Sequence, residues 1–443
     1  MFKGHVCIDL HNHKSGFTER IEDDNLVTGM PAKLVAYHIL TSRSIPNITP
    51  IGQTLFGGLK IIDKPFEDTV NGDIFIPGNS NVIGCASYNY NNTASRLIGT
   101  FNILESNYDI PNARYTHVWD FATTQGNGKI NAIGLCTDVG GKFGWGNVRD
   151  TQSQGSSGYG YVTPNMHQPL FYDEQNKDIY GLTRVSGGLK VVKIHADFFT
   201  LSLKGTSSSY AYTLPEASDV GITIENPSSW GGYEWGWQIG YDGYIYAAEI
   251  NHITDGYELI LHKKRISDLS FDDVTSERYV LSDYSSGYSV QNVMINKNSS
   301  NARIFVQTSD RRHIYMLTPG TSSMVDIDMS VYITDSVYRP PYLGSQTPNG
   351  DVFVFDDYYG LRGRINTMGV CIIDESVKET NYMIPFFGKY ISNGMFFGMR
   401  QNQTGYLTVL LGYDLLTTNF NLGSEIEKTV SQSMKVTYTI TQV

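Results

Sequence analysis

Charge is scarce in this chain. Of 443 residues only 17% are Asp, Glu, Lys or Arg, against about 25% in an ordinary globular protein. Acid exceeds base, so the net charge is −11. The missing basic excess argues against nucleic acid, whose binders carry a basic face. Cysteine is scarcer still. Cys7, Cys85, Cys136 and Cys371 lie far apart with no C-x-x-C among them, which indicates neither a zinc knuckle nor a disulfide framework. Each sits in an apolar stretch and reads as a small core residue. No apolar run approaches the ~20 residues that cross a bilayer, and MFKGHVCIDLHNHKSG lacks the h-region of a signal peptide. The expectation is synthesis in a cytoplasm without a classical export signal and with no membrane span. Sustained heptads are absent, and with them a coiled coil. Neither a P-loop nor a G-x-G-x-x-G before a helix occurs, and no G-x-S-x-G elbow anchors a Ser–His–Asp arrangement.

What the chain does hold is glycine and aromatic residues: 44 Gly, 30 Tyr, and 12% aromatics overall. Aromatics fit a pleated sheet and glycine supplies turns, so the composition favours β-structure. Residues 1–150 read as a β-rich domain with candidate strands at Phe2–Leu10, Leu55–Asp63, Asn81–Tyr88, Ser95–Glu105, Tyr115–Thr123 and Lys129–Thr137. One short helix is expected over Pro31–Leu40, where proline takes the first helical position. Gly126-Asn127-Gly128 reads as a hairpin turn between the last two strands. The Gly/Ser-rich segment 151–165 reads as a linker.

Beyond it the pattern becomes a degenerate repeat. Short strands at Asp178–Tyr180, Tyr244–Tyr246, Arg303–Phe305, Asp351–Phe353 and Met395–Phe397 are each followed by a second. Those partners are Leu189–Lys193, Leu259–Lys263, His313–Leu317, Gly369–Ile373 and Leu407–Leu411. Units of ~40–50 residues are the β-propeller signature, and no helical period interrupts them. The expectation is a five-bladed propeller over 166–420, with four or six blades compatible with the long first spacings. The alternating segment Ser433–Ile440 lies outside the repeat and is expected to return, with 421–443, to the first domain. The fold class is therefore mainly β.

Few motifs carry chemistry. Asp9-Leu10-His11-Asn12-His13 places two imidazoles at a period of two, a spacing metal sites use, and taken alone it resembles the first motif of PHP-type phosphoesterases. The remaining histidines do not follow strands of a βα pattern, so His11 and His13 read as turn or surface residues, with a shared metal on a trimer axis as the smaller alternative. No cofactor is implied. Asp272-Asp273 and Asp356-Asp357 are paired carboxylates of the kind propeller glycosidases use, although adjacent acids in a loop are usually solvated. The cluster Trp230-Gly231-Gly232-Tyr233-Glu234-Trp235-Gly236-Trp237 holds three of five tryptophans. Tyr233, Trp235 and Trp237 fit packing between blades or a sugar-stacking surface, and Trp230 before them is the better ligand candidate. The basic runs His262-Lys263-Lys264-Arg265 and Arg311-Arg312-His313 fit solvated strand ends, or, at Lys263 and Lys264, contact with a phosphorylated ligand.

Six stretches resemble the tail-tip proteins, or receptor-binding tail fibres, of bacteriophages and prophages of Gram-positive bacteria. They are ERIEDDNLVT (19–28), IGQTLFGGLKIID (51–63), IPGNSNVIGCAS (76–87), LIGTFNILES (97–106), HVWDFATTQGNGKINAIGLC (117–136) and MKVTYTITQV (434–443). The resemblance implies a homotrimer at the virion tail tip, with 1–150 and 421–443 facing other tail proteins. It also implies a distal part that binds host cell-wall glycan or teichoic acid without cutting it. A tail-borne depolymerase and a purely structural tail or baseplate subunit are the alternatives, so the question of an enzyme stays open.

Overall fold

The computed structural model describes residues 2–29, 55–66, 80–138 and 416–442, and between 140 and 412 chiefly strands and tight turns. Residues 32–54, 67–75, 151–159, 196–210, 226–236, 282–289, 331–341, 374–385 and shorter stretches lie outside the described residues. The helix expected over Pro31–Leu40 falls there, apart from Pro31.

The chain opens with β1 (Phe2–Asn12), β2 (Thr18–Val27), β3 (Gly58–Ile62) and β4 (Val82–Ser87). The short β5 (Thr100–Phe101) and β6 (Asn107–Asp109) follow, then β7 (Arg114–Phe121) and β8 (Gly128–Cys136). Next come β9 (Val148–Arg149), β10 (Gly160–Val162), β11 (Gln168–Asp173), β12 (Asp178–Val185) and β13 (Gly188–His195). After β14 (Ala211–Thr213) and β15 (Ser218–Glu225) run β16 (Trp237–Ile239), β17 (Tyr244–Ile253), β18 (Gly256–Ser267) and β19 (Ser270–Leu281). Then follow β20 (Val290–Ile295), β21 (Ile304–Thr308), β22 (Ile314–Leu317) and β23 (Met324–Asp326). The next group is β24 (Tyr342–Gln346), β25 (Val352–Asp356), β26 (Gly360–Ile365) and β27 (Cys371–Ile373). The last strands are β28 (Phe386–Ser392), β29 (Met395–Arg400), β30 (Tyr406–Gly412), β31 (Thr418–Lys428) and β32 (Gln432–Gln442).

Both chain ends build the first sheet, whose order is β4-β3-β8-β31-β2-β1-β32-β7-β5 with β6 added to β7. The alternation in β32 explains its place. Met434, Val436, Tyr438 and Ile440 are buried with Val6, Ile8 and Leu10 of β1, while Lys435 and Asp9 between them pair in register on the other face. The sheet curls until its edges meet: the Cys85 N–H donates to Leu97 O at 2.9 Å and the Gly99 N–H to Cys85 O at 2.8 Å, joining β4 to the residues that lead into β5. The interior holds Trp119, Phe121, Leu59, Ile61, Ile130 and Ile133.

Three local expectations are corrected in this unit. Ser95–Glu105 is not one strand; Ser95 Oγ accepts the N–H groups of Leu97 and Ile98, and Asn102 Oδ1 accepts that of Glu105. Such side-chain bonds compete with a ladder. Gly126-Asn127-Gly128 does turn, with φ of 62° and 143° at its glycines, but β7 and β8 do not pair; β7 joins β32 and β8 joins β3 and β31. The buried Lys428 ammonium holds that turn instead, donating to Ala122 O at 3.0 Å and Asn127 Oδ1 at 2.8 Å, and burial pulls its pKa down to about 8. The pairs Gly57-Gly58 and Gly140-Gly141 read as simple turns, yet a Cβ on Gly141 would lie 2.0 Å from Ala86 O and 2.6 Å from the Gly58 Cα. These glycines let two backbones touch.

The middle of the chain forms five further sheets. Four are antiparallel and four-stranded: β11-β12-β13-β15, β16-β17-β18-β19, β20-β21-β22-β23 and β24-β25-β26-β27. The fifth runs β14-β10-β30-β29-β28, with β9 on β30, so it draws strands from both ends of the region. β10 lies inside the expected linker. In the β25 sheet the third strand is β26, and Gly369–Ile373 supplies the outer strand β27. The sheets meet in sequence: β11 touches β16, β16 touches β20, β20 touches β24, β24 touches β28, and β28 returns to β11. β21 and β22 are buried at every position, hence on both faces, and their apolar residues Ile304–Val306 and Ile314–Leu317 read as continuous runs. Ile304 and Val306 pack toward β17 and β18, while Phe305 between them packs toward Leu343, Val352 and Val354.

A buried ion pair ties the two regions together. Arg364 in β26 donates to the Asp351 carboxylate and to the backbone carbonyl of Ser80, and both charged side chains are buried. Burial pushes the Asp351 carboxyl up to about 6 against the pull of the guanidinium.

Candidate functional site

Of the aromatic candidates, Trp230, Tyr233 and Trp235 lie outside the described residues. Trp237 opens β16 and pairs in register with Ala247 of β17. Lys263 and Lys264 lie within β18 rather than at a strand end. The Lys263 ammonium stands 4.0 Å from the Tyr244 ring centroid and 5.5 Å from that of Tyr246, a cation–π geometry. Lys264 pairs in register with Ile245 and Asp273, and Arg265 with Tyr244 and Asp272. The Asp272-Asp273 pair sits in a strand, not a loop, and neighbours in a strand occupy opposite faces of the sheet. Asp356 ends β25, and Asp357 lies outside the described residues.

His11 and His13 do come together, their rings edge to face with centroids 4.9 Å apart. Their nitrogens are engaged by hydroxyls: His11 Nδ1 with Thr18 Oγ1 at 2.9 Å and His13 Nε2 with Ser433 Oγ at 3.1 Å. Among the described residues no group of three His, Cys, Asp or Glu side chains is placed to hold a metal ion.

His11 instead lines a groove of about 560 Å³ on the outer face of the first sheet. Five strands contribute to it, and register explains the lining. Asp9 of β1 pairs with Arg20 of β2 and with Lys435 of β32; Lys435 pairs with Asp120 of β7, and Asp120 with Thr100 of β5. The result is one row across the sheet, Arg20–Asp9–Lys435–Asp120–Thr100, in which charge alternates. Arg20 grips Asp9 through two bonds, Nε to Oδ1 at 2.7 Å and Nη2 to Oδ2 at 3.0 Å, which holds the guanidinium pKa up. Lys435 Nζ donates to both Glu105 oxygens at 2.7 Å; the pair lowers the Glu105 pKa and raises that of Lys435. Asn102 Nδ2 donates to Asp120 Oδ2 at 2.7 Å. Gln125 closes one end, with Nε2 donating to Ile98 O at 2.6 Å and Oε1 accepting the Ala122 N–H at 3.0 Å. Phe121 and Met434 border the groove as well, but their side chains are buried in the sheet interior.

This groove was not foreseen in the sequence. Its members are single polar residues at alternate positions of strands as far apart as β1 and β32, and nothing local announces the register that unites them.

No protein-family model matches the chain, and no curated protein does. Solved structures show only partial likeness to the chain. An endo-arabinase from Bacteroides thetaiotaomicron shares 12% identity over 57% of this chain and 97% of its own, with a TM-score of 0.34. An engineered GH43 glycoside hydrolase with endo-xylanase and exo-arabinofuranosidase activity shares 14% over 66% of this chain and 60% of its own, at 0.29. AztD of Citrobacter koseri shares 11% over 96% and 100%, at 0.27. TM-scores of this size assign neither a family nor an activity. The fold is mainly β, and no helix among the described residues is long and apolar enough to cross a membrane.

Proposed function

We propose that this chain is a non-enzymatic receptor-binding protein of a phage tail, with the five sheets of 148–412 as the blades of a five-bladed propeller that engages cell-wall glycan. One observation carries the reading. The six stretches that resemble tail-tip proteins are scattered through the sequence, yet the strands within them all belong to the one sheet that contains both chain ends. They therefore form a unit, and the ring of sheets forms another. In this reading the sheet unit faces the virion and the ring faces the host. In a homotrimer, three weak sites on one particle gain avidity for a repeating polymer.

The test is a pull-down of the purified chain on Gram-positive cell walls, before and after teichoic acid removal, with soluble sugar assayed in the same tubes and the oligomeric state measured by light scattering. Binding without sugar release is expected. Sugar release would replace this reading with a tail-borne depolymerase, and absence of binding across a broad host panel would leave a structural tail subunit.

A further inference from the structure

We infer that the groove over β2, β1, β32, β7 and β5 is a second carbohydrate site, one that takes a short uncharged oligosaccharide. It lies on the sheet unit and does not depend on what the ring of sheets binds.

The lining chemistry selects the ligand. Arg20, Asp9, Lys435 and Asp120 carry equal numbers of positive and negative groups, and Glu105 at the rim sequesters Lys435 further. A phosphate or a uronic acid would find each groove cation already committed to a carboxylate, and it would meet Asp9 and Asp120 as like charges. An apolar peptide would strip these groups of water without replacing their hydrogen bonds. A hydroxyl-rich neutral ligand avoids both costs. A carboxylate has about four lone-pair sites; Asp120 spends one on Asn102, and Asp9 two on Arg20. Each retains acceptor capacity for sugar hydroxyls.

Geometry supports the same class. Each polar group is held before a ligand arrives: Asp9 by a two-pronged guanidinium, Asp120 by Asn102, His11 by Thr18, and Gln125 by two backbone groups. Fixed partners reduce the ordering cost that weakens shallow sites. The volume of about 560 Å³ falls within the range of small-molecule sites, and the hydroxyl residues Thr18, Thr100 and Ser433 line it. Hydroxyls of this kind can both donate to and accept from the hydroxyl edge of a sugar ring.

The full chain would be titrated calorimetrically with cellopentaose, maltopentaose, mannopentaose, galactopentaose and N-acetylchitopentaose at millimolar concentration, and with polyglycerol phosphate. At least one neutral oligosaccharide is expected to bind and polyglycerol phosphate is not expected to compete with it. Asp120→Ala removes an acceptor and Ser433→Trp fills the groove; each should weaken that binding by about tenfold or more, with circular dichroism confirming that the variants fold. Lys190→Ala, on β13, should leave it unchanged. Binding that survives both groove variants, competition by polyglycerol phosphate, or no heat with any neutral probe would overturn the assignment. Self-association that both groove variants abolish, without oligosaccharide binding, would give the groove to a second copy of the chain. Whole-wall binding by the groove variants reports separately on the ring of sheets.

Discussion

Acidification should weaken the first sheet through one side chain, His117. Its ring is buried beside Trp119 and Phe101, with ring centroids 5.5 Å and 5.6 Å away. Nδ1–H donates to the Phe56 carbonyl at 3.0 Å, and Nε2 accepts the Tyr108 hydroxyl at 3.2 Å, so the geometry fits the neutral ring with its proton on Nδ1. Burial lowers its pKa from 6.5 to about 4. Between those values the unfolded chain binds the proton and the folded chain does not, so stability is full above about pH 6.5 and falls as the pH drops toward about 4. At ~1.36 kcal/mol per pKa unit the loss amounts to about 3 kcal/mol. Acidic side chains titrate in the same range, which makes His117→Gln the necessary reference. Urea unfolding followed by tryptophan fluorescence, at pH steps across this window, should show a steeper loss for the native chain than for the variant, with the gap closing by about 3 kcal/mol. Parallel pH profiles for the two proteins would refute the reasoning, as would an imidazole titration by NMR that centres near the unperturbed value.

Other perturbations test the packing. Gly141→Ala drives a Cβ into the backbone at Ala86 and Gly58 and should cost more than ~2 kcal/mol, read as a lower urea midpoint. Phe305→Ala empties a side chain buried between two sheets and should cost ~3–5 kcal/mol by the same assay. Arg364→Ala strands the buried Asp351 carboxylate and should cost a similar ~3–5 kcal/mol. The double variant Asp351→Leu with Arg364→Met should recover part of that loss, and no recovery would count against a charge-based account. Lys263→Gln removes the cation over Tyr244 and should cost at most ~1 kcal/mol.

Sequence periodicity located about half of the strands, those whose burial leaves a mark. The alternation of Met434, Val436, Tyr438 and Ile440 announced a strand with one wet face, and the short apolar segments at Arg303–Phe305 and Asp351–Phe353 marked β21 and β25. Register partners left no such mark. The hairpin signal at Gly126–Gly128 was a real turn, yet the strands it joins part company, β7 pairing with β32 and β8 with β31 and β3. Gly369–Ile373 looked like a second strand, but β26 intervenes with only Leu361 and Ile365 as apolar markers.

By itself the amino-acid order determined the β-class of the chain, its turns and its net negative charge, since these depend on residue type and near neighbours. Tertiary structure decided the rest. Asp9, Arg20, Asp120 and Lys435 become one row only when strands from both chain ends pair, and a carboxylate's role is set by the charges beside it in space. Likewise His117 is an ordinary imidazole in the sequence; enclosure among Trp119, Phe101 and Tyr108 removes its water and so fixes it neutral.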